Sequence, residues 1–243
     1  MFKYSVLNFF AGIFILSGCM ESSFAQQKQI TLNIESASYS IVSPKSDFSV
    51  QTIHKFHQQF TNEEKKTFEI FNIKKPDHQT IIIAGNSIAF SKITSQNWHT
   101  ASLYDPSSGK IYFQNPLSLE KNNILIKSIK HELCHQSAFI LRNKTSTHFE
   151  MEECICEAYS GTYIYGKTLP AGINQYGELL QYLSRDLRSR NHKKILTAYK
   201  TAASFGSYII QKMGPEKALE IAAFQEKNKD LLSRLFESYR SSR

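Results

Sequence analysis

The segment SIKHELCHQSAF, residues 128–139, constrains the fold of this chain more than any other stretch of its 243 residues. Apolar residues recur at four-residue spacing from about 122 to 141, which predicts a helix with one buried side. On such a helix His131 and His135 are about one turn apart and lie about 40° from each other around the axis. Glu132 follows the first histidine directly. The pattern therefore places two imidazoles on one face with a carboxylate beside them.

Two imidazoles in this arrangement can bind one zinc ion, each through a nitrogen about 2.0–2.1 Å from the metal. Glu132 lies about 100° further round the helix, too far to bind the same ion but within reach of a water beside it. This is the helical His-Glu-x-x-His pattern of zinc peptidases. The alternative is a surface helix with two solvated histidines.

A catalytic zinc site needs a third protein ligand and one open position. The next predicted helix, within HFEMEECICEAYSG, offers four glutamates. Glu153 and Glu157 are four residues apart and share a face, so one could bind the metal while the other accepts the N–H of a ligating histidine. We interpret Glu150 and Glu152 as solvated carboxylates near a helix N-terminus, where the helix dipole favours negative charge.

The remaining patterns predict an α+β fold, in which a small mixed sheet is followed by a helical half. Alternating and short apolar runs predict strands over 29–43 and 78–85, and a hairpin over 100–116 turns at the segment DPSSG. The segment 49–60 predicts a helix, and Thr61 with Glu64 resembles a capping box that opens a second helix. Helices are further predicted over 122–141, 150–165, 173–187, 193–213, 215–224 and 226–240.

The first residues predict an export signal. One lysine precedes an apolar run that is too short for a stable membrane span, and the sequence LSGC follows it. That junction resembles a bacterial lipobox, which predicts a signal peptide over 1–18, lipidation of Cys19, a tether over 19–29 and one domain over 30–243. Cleavage after Ala25, which would release a soluble protein, is the alternative.

Without residues 1–18 the chain has 28 basic and 21 acidic residues, a net charge of +7. Export to the cell envelope argues against a nucleic-acid partner. The expected partners are the membrane, reached through a lipid on Cys19, and a substrate or ligand of the domain.

Three cysteines remain beyond Cys19. Cys134 lies on the predicted helix that carries His131 and His135, the histidine helix. Cys154 and Cys156 lie on the predicted helix that carries the glutamates, the glutamate helix. If both helices supply ligands to one metal they pack together, which allows a disulfide from Cys134 to one of the other two in an oxidising compartment. Cys154 and Cys156 are about 200° apart on a helix, so only one of them can face Cys134.

The sequence HELCH, followed by a helix with ECICEAYSG, resembles gluzincin metallopeptidases, and most of all the compact peptidase-MA-like or minigluzincin group. That group carries a Glu-Gly-x-Ala-Glu-Tyr-x-x-Gly type of sequence on its second helix. In the match Glu153 takes the ligand position, Cys154 and Cys156 replace the glycine and alanine, Glu157 is the second carboxylate and Gly161 the closing glycine. Glu157 remains the alternative ligand.

The resemblance implies a zincin-like fold with an active-site helix and a glutamate helix, a zinc cofactor and hydrolysis of peptide bonds. Glu132 would act as general base. Tyr199, on a later helix, would stabilise the oxyanion. An extended peptide would pair with the edge strand of the sheet. An open cleft, with no sequence signal for an amino-terminus anchor, favours an endopeptidase over an exopeptidase.

Two other functions fit the same residues. One is a catalytically inactive envelope lipoprotein of gluzincin fold that acts as a binding or assembly factor. The other is a zinc-storing or adhesive surface protein, for which Glu132 would be dispensable.

Overall fold

The computed structural model describes residues 29–42, 49–96, 100–143, 145, 150–161 and 169–242. The predicted signal peptide, Cys19 and Ala25 lie outside the described residues. The strands are β1 (Gln29–Ile34), β2 (Ala37–Val42), β3 (Gln79–Ala84), β4 (Ser102–Asp105) and β5 (Lys110–Phe113). The helices are α1 (Val50–Ile70), α2 (Ser87–Thr94), α3 (Pro116–Lys121), α4 (Leu125–Leu141), α5 (Glu150–Ser160), α6 (Tyr176–Asp186), α7 (His192–Met213), α8 (Pro215–Ala223) and α9 (Lys229–Ser241).

The α+β class is confirmed: a five-stranded mixed sheet precedes a mostly helical remainder. The strand order is β1-β2-β3-β5-β4, with β2, β3 and β5 parallel and antiparallel strands at both edges. The predicted hairpin over 100–116 is present as β4 and β5. The prediction of a single strand over 29–43 was wrong, because the chain turns at Glu35, which adopts a φ of 49°, and returns as β2.

Helix α1 is continuous, so the prediction of a new helix at Thr61 was wrong. Ser49 caps α1 by accepting a hydrogen bond from the Thr52 N–H. The Thr61 hydroxyl donates to the His57 carbonyl one turn earlier and caps nothing. The apolar stripe also continues through this point, with Phe60 and Phe68 both buried, so packing favours an unbroken helix.

Two helices, α2 and α3, were not predicted. Their start signals are present in the sequence, since Asn86 and Asn115 accept the first N–H groups of α2 and α3 and Pro116 opens α3. Both helices are short, so their apolar periodicity is too weak to predict a helix. The later helices are present with ends shifted by a few residues.

Helix α4 separates two apolar cores. On one side Leu125, Ile129 and Leu133 pack against the sheet and α1. On the other side Cys134 and Ala138 belong to the core built from α5 to α9. Since both flanks of α4 are covered, the polar residues between them are held in fixed positions.

Helices α5 and α7 cross so closely that only glycine fits at residue 206. A Cβ atom on Gly206 would lie 1.9 Å from the Cys154 carbonyl oxygen and 2.5 Å from its carbon. Those atoms are backbone, so relief requires the two helices to separate. The α5 helix, with its glutamates, is therefore positioned by this contact.

We expect Gly206→Ala to lower the free energy of unfolding by about 3 kcal/mol or more, since overpacking against backbone cannot relax through a side-chain rotation. Urea denaturation measures it. Gly177→Ala on α6 is the control, because nothing lies within 4 Å of its Cβ position and removing a helical glycine stabilises by about 0.5–1 kcal/mol. Equal stability of Gly206→Ala and the parent protein would contradict the close crossing of α5 and α7 at this position.

None of the helices in the described part of the chain combines the length and the apolar character that a membrane span needs.

Candidate metal centre

The two histidines of α4 direct the same ring nitrogen towards each other. Nε2 of His131 and Nε2 of His135 are 3.1 Å apart. His135 is only 4% exposed, and its ring meets that of His131 edge to face. The one-turn spacing in the sequence therefore produces the predicted convergence of two imidazoles.

Glu153 supplies the third donor from α5. Its carboxylate oxygens are 3.5 Å from His131 Nε2 and 3.4 Å from His135 Nε2. Ligand atoms about 2.0–2.1 Å from a tetrahedral zinc ion are separated from one another by about 3.3 Å. Among the described residues, His131, His135 and Glu153 form the group that could hold a metal ion. Their spacing fits such an ion with little rearrangement.

Glu152, which we predicted to be a solvated carboxylate, is buried at 1% exposure beside the histidines. The Nδ1 of His135 lies 2.7 Å from Glu152 Oε1, and Arg142 Nη1 donates to the other carboxylate oxygen. The prediction was wrong because Arg142, at the end of α4, neutralises the charge and makes burial tolerable. A carboxylate on the far nitrogen of a histidine fixes which nitrogen faces a metal.

Glu157 lies beside the other histidine. Its carboxylate is 3.3 Å from His131 Nδ1, the nitrogen that faces away from Glu153. Glu153 therefore lies beside the two Nε2 atoms, and Glu157 lies on the opposite side of the His131 ring.

Burial and the neighbouring charges shift the pKa values of the residues in this cluster. Burial lowers the pKa of His131. Burial acts in the same direction on His135, but hydrogen bonds to Glu152 and Glu153 outweigh it and raise the pKa of His135 well above its usual value. Burial and the nearby Glu153 raise the pKa of the Glu157 carboxyl. Metal binding at this cluster would depend on pH, because imidazole nitrogens must be unprotonated to act as ligands.

Glu132 lies against the sheet, outside the three-donor group. Ser102 Oγ donates to Glu132 Oε1 over 2.7 Å, and the Tyr104 N–H donates to Glu132 Oε2 over 2.5 Å. Both donors belong to β4, the edge strand, and the Glu132 side chain is buried at 4% exposure. In the sheet β4 is the outer strand on this side, and β5 lies inside it.

The two histidines, Glu132, Glu153 and Glu157 line one cleft of about 530 Å³. This cleft lies between β4, α4, α5 and the start of α7. Tyr199 of α7, the predicted oxyanion residue, also lines this cleft. No family model matches the chain, and no curated protein matches it in sequence.

A larger groove of about 920 Å³ lies along α1. Its histidine, His57, is bonded through Nδ1 to the Tyr39 hydroxyl over 2.7 Å and lies 3.5 Å from Glu35. His57 is therefore held by a tyrosine and one exposed glutamate, which is not a set of converging metal donors.

A disulfide joins the two helices that carry the donors. Cys134 pairs with Cys156, with their Cα atoms 5.4 Å apart, and Cys154 is a buried free thiol. The expected bridge from Cys134 is confirmed, with Cys156 as its partner. The bridge lies next to His135 in the sequence of α4 and next to Glu157 in that of α5, so it fixes the distance between the two halves of the cluster.

We expect replacement of both Cys134 and Cys156 by alanine to lower the free energy of unfolding by about 3 kcal/mol, from the loop entropy of a crosslink of this span. Denaturation with and without dithiothreitol measures it. Reductant should bring the parent protein to the stability of the double variant and leave that variant unchanged. A parent protein that is insensitive to reductant, with the bridge verified by mass spectrometry, would contradict the expectation.

Proposed function

We propose that this chain is a zinc-dependent peptidase of gluzincin type, with α4 as the active-site helix and α5 as the glutamate helix. The observation that carries the proposal is the convergence of His131, His135 and Glu153 in a cleft that also contains Glu132 and an edge strand. Three donors with one open side are the ligand set of catalytic rather than structural zinc sites.

A zinc ion held by these residues would polarise the scissile carbonyl and lower the pKa of a water towards about 7. Glu132 accepts the proton of the attacking water and passes it to the leaving amine. Tyr199, which lines the same cleft, would donate a hydrogen bond to the oxyanion. Glu152 holds His135 in the tautomer that presents Nε2 to the metal.

An extended peptide beside β4 is the substrate geometry that the cleft favours, because an edge strand offers backbone groups for pairing. This supports an endopeptidase. We propose further that the protein is exported and anchored by a lipid on Cys19. The disulfide between Cys134 and Cys156 supports an oxidising compartment.

One observation favours the alternative, an inactive binding or assembly factor. Both carboxylate oxygens of Glu132 accept hydrogen bonds from β4, so this residue also ties the sheet edge to α4. A glutamate retained for that purpose alone would leave the protein able to bind zinc and unable to cleave.

The two functions differ in a direct assay. Under the peptidase proposal the purified protein cleaves unfolded casein, loses this activity on treatment with dipicolinic acid and regains it with stoichiometric zinc. Protein that carries zinc and is folded but leaves casein and a peptide library intact would support the binding factor instead.

A further inference from the structure

We propose that Ser102 is a positioning residue for Glu132, an assignment that rests on the proposed peptidase function. It holds one carboxylate oxygen of Glu132 through its hydroxyl, 2.7 Å away, while the Tyr104 N–H holds the other. A base held through both oxygens has a fixed orientation towards the cleft. Fixed orientation matters because small misplacements of a catalytic group cost large factors in rate.

The strand register explains why this position is available. Gln114 donates to the Ala101 carbonyl and Gly109 donates to the Asp105 carbonyl, so alternate residues of β4 face β5. The backbone groups of Ser102 and Tyr104 therefore face the outer edge. The Tyr104 N–H donates its hydrogen bond to Glu132, although an extended peptide would need this same N–H for pairing.

A substrate strand that pairs with this part of β4 competes with Glu132 for the Tyr104 N–H. Ser102 contacts Glu132 through its side-chain hydroxyl and not through its backbone. A peptide that pairs with the strand backbone therefore does not displace this hydrogen bond. Ser102 thus keeps the base oriented when Oε2 is released from the strand and becomes available to take a proton.

The test uses Ser102→Ala and Ser102→Thr, with Ser137→Ala as the matched control. Ser137 is a buried serine of α4 whose hydroxyl donates to the Leu133 carbonyl. We expect Ser102→Ala to lower kcat by about tenfold to a hundredfold with KM and zinc content nearly unchanged. Threonine at this position should restore most of kcat, and Ser137→Ala should leave kcat unchanged.

A second readout needs no catalysis. In metal-free protein Ser102→Ala should lower the melting temperature by several degrees in the parent background and very little in a Glu132→Ala background, because the partner is gone. Equal shifts in both backgrounds, or an unchanged kcat in Ser102→Ala, would overturn the proposal. If Glu132→Gln retains full activity the proposed function fails; if only Ser102→Ala retains it, the failure is confined to Ser102.

A separate observation, the charge of the cleft walls, points to acidic peptides as the substrate class, again resting on the proposed function. Apart from the histidines and the site's own Glu132, Glu153 and Glu157, the charged residues that line the described part of the cleft are Lys127 and Arg188. Lys127 lies one turn before His131 on α4, and Arg188 lies in the connection from α6 to α7.

The surface next to Arg188 extends the same charge. Arg188, Arg190, Lys193 and Lys194 are all exposed. Apolar side chains also line the cleft, among them Ile195 and Leu196 of α7. We infer that the cleft prefers peptides with apolar residues next to the scissile bond and acidic residues further along, since charge complementarity chooses partners and speeds encounter.

This preference can be tested with two fluorogenic peptides. They share an apolar core and differ only in whether Glu or Lys residues flank it. We expect kcat/KM to favour the Glu peptide by about tenfold at low salt, with a smaller ratio at high salt. Combined Lys127→Glu and Arg188→Glu should reverse the preference, whereas Arg234→Glu on α9, which lines no part of the cleft, should preserve it.

The same peptides are titrated into zinc-loaded Glu132→Gln protein by fluorescence anisotropy, which measures binding without cleavage. Equal affinity for both peptides, or a preference that survives the double charge reversal, would overturn the inference. Preferential binding of the Glu peptide with no cleavage by the parent protein would support the inference while removing the peptidase proposal.

Discussion

Replacement of Glu132 by glutamine is expected to reduce peptide hydrolysis by about 10²–10⁴-fold while zinc content stays unchanged. The amide keeps the shape of the side chain but cannot take a proton from water, and general acid–base catalysis contributes this much to rate. Glu132 is not among the three converging donors, so metal binding does not depend on it. Cleavage of unfolded casein and metal analysis of the same sample measure the two effects together.

The structural role of Glu132 requires a control. In Glu132→Gln the amide group faces donors from β4, and an unpaired buried polar group costs about 1–3 kcal/mol of stability. Glu63→Gln provides the comparison, because Glu63 is a buried carboxylate of α1 that is paired with Lys66 over 2.8 Å and lies outside the cleft. Glu63→Gln should lose stability and keep activity. Full activity in Glu132→Gln would overturn the proposed function.

Replacement of Glu152 by alanine is expected to weaken both the fold and the metal site. Arg142 would be left buried without its carboxylate, and breaking a buried ion pair from one side costs about 3–5 kcal/mol. His135 would lose the group that holds its Nδ1, and loss of such a partner lowers metal affinity by about 10–100-fold. Thermal unfolding and competition with a zinc chelator measure the two effects.

Glu150→Gln is the matched control for Glu152. Glu150 lies in the same first turn of α5 and is half-buried, two residues from Glu152. We expect its amide variant to bind zinc as tightly as the parent protein. Equal zinc affinity in Glu152→Ala and Glu150→Gln would show that the contact with His135 does not support the metal site.

The sequence predicts the parts of the site that depend on helical spacing. Four-residue separation on one helix places His131 beside His135, and packing of the next helix against it brings Glu153 into reach. The same reasoning limits the disulfide partner of Cys134 to Cys154 or Cys156. These features are local, and regular helix geometry determines them.

The role of Glu152 and the β4 contacts of Glu132 depend on tertiary structure and could not be predicted in this way. Glu152 is buried only because Arg142, ten residues earlier at the end of α4, pairs with it. The donors to Glu132 come from a strand about thirty residues away, and the order of strands in the sheet decides which strand is at the edge. One signal was available in the sequence, since an arginine at the end of the histidine helix is a candidate partner for an acidic residue on the next helix.

Zinc content of the purified protein is the most direct test of the proposed metal centre. After dialysis against buffer free of metal, the parent protein should retain about one zinc per chain, and His135→Ala and Glu153→Ala should lose it while remaining folded. A folded parent protein that retains no zinc, or a His135→Ala variant that binds zinc as tightly as the parent, would contradict a metal centre at His131, His135 and Glu153.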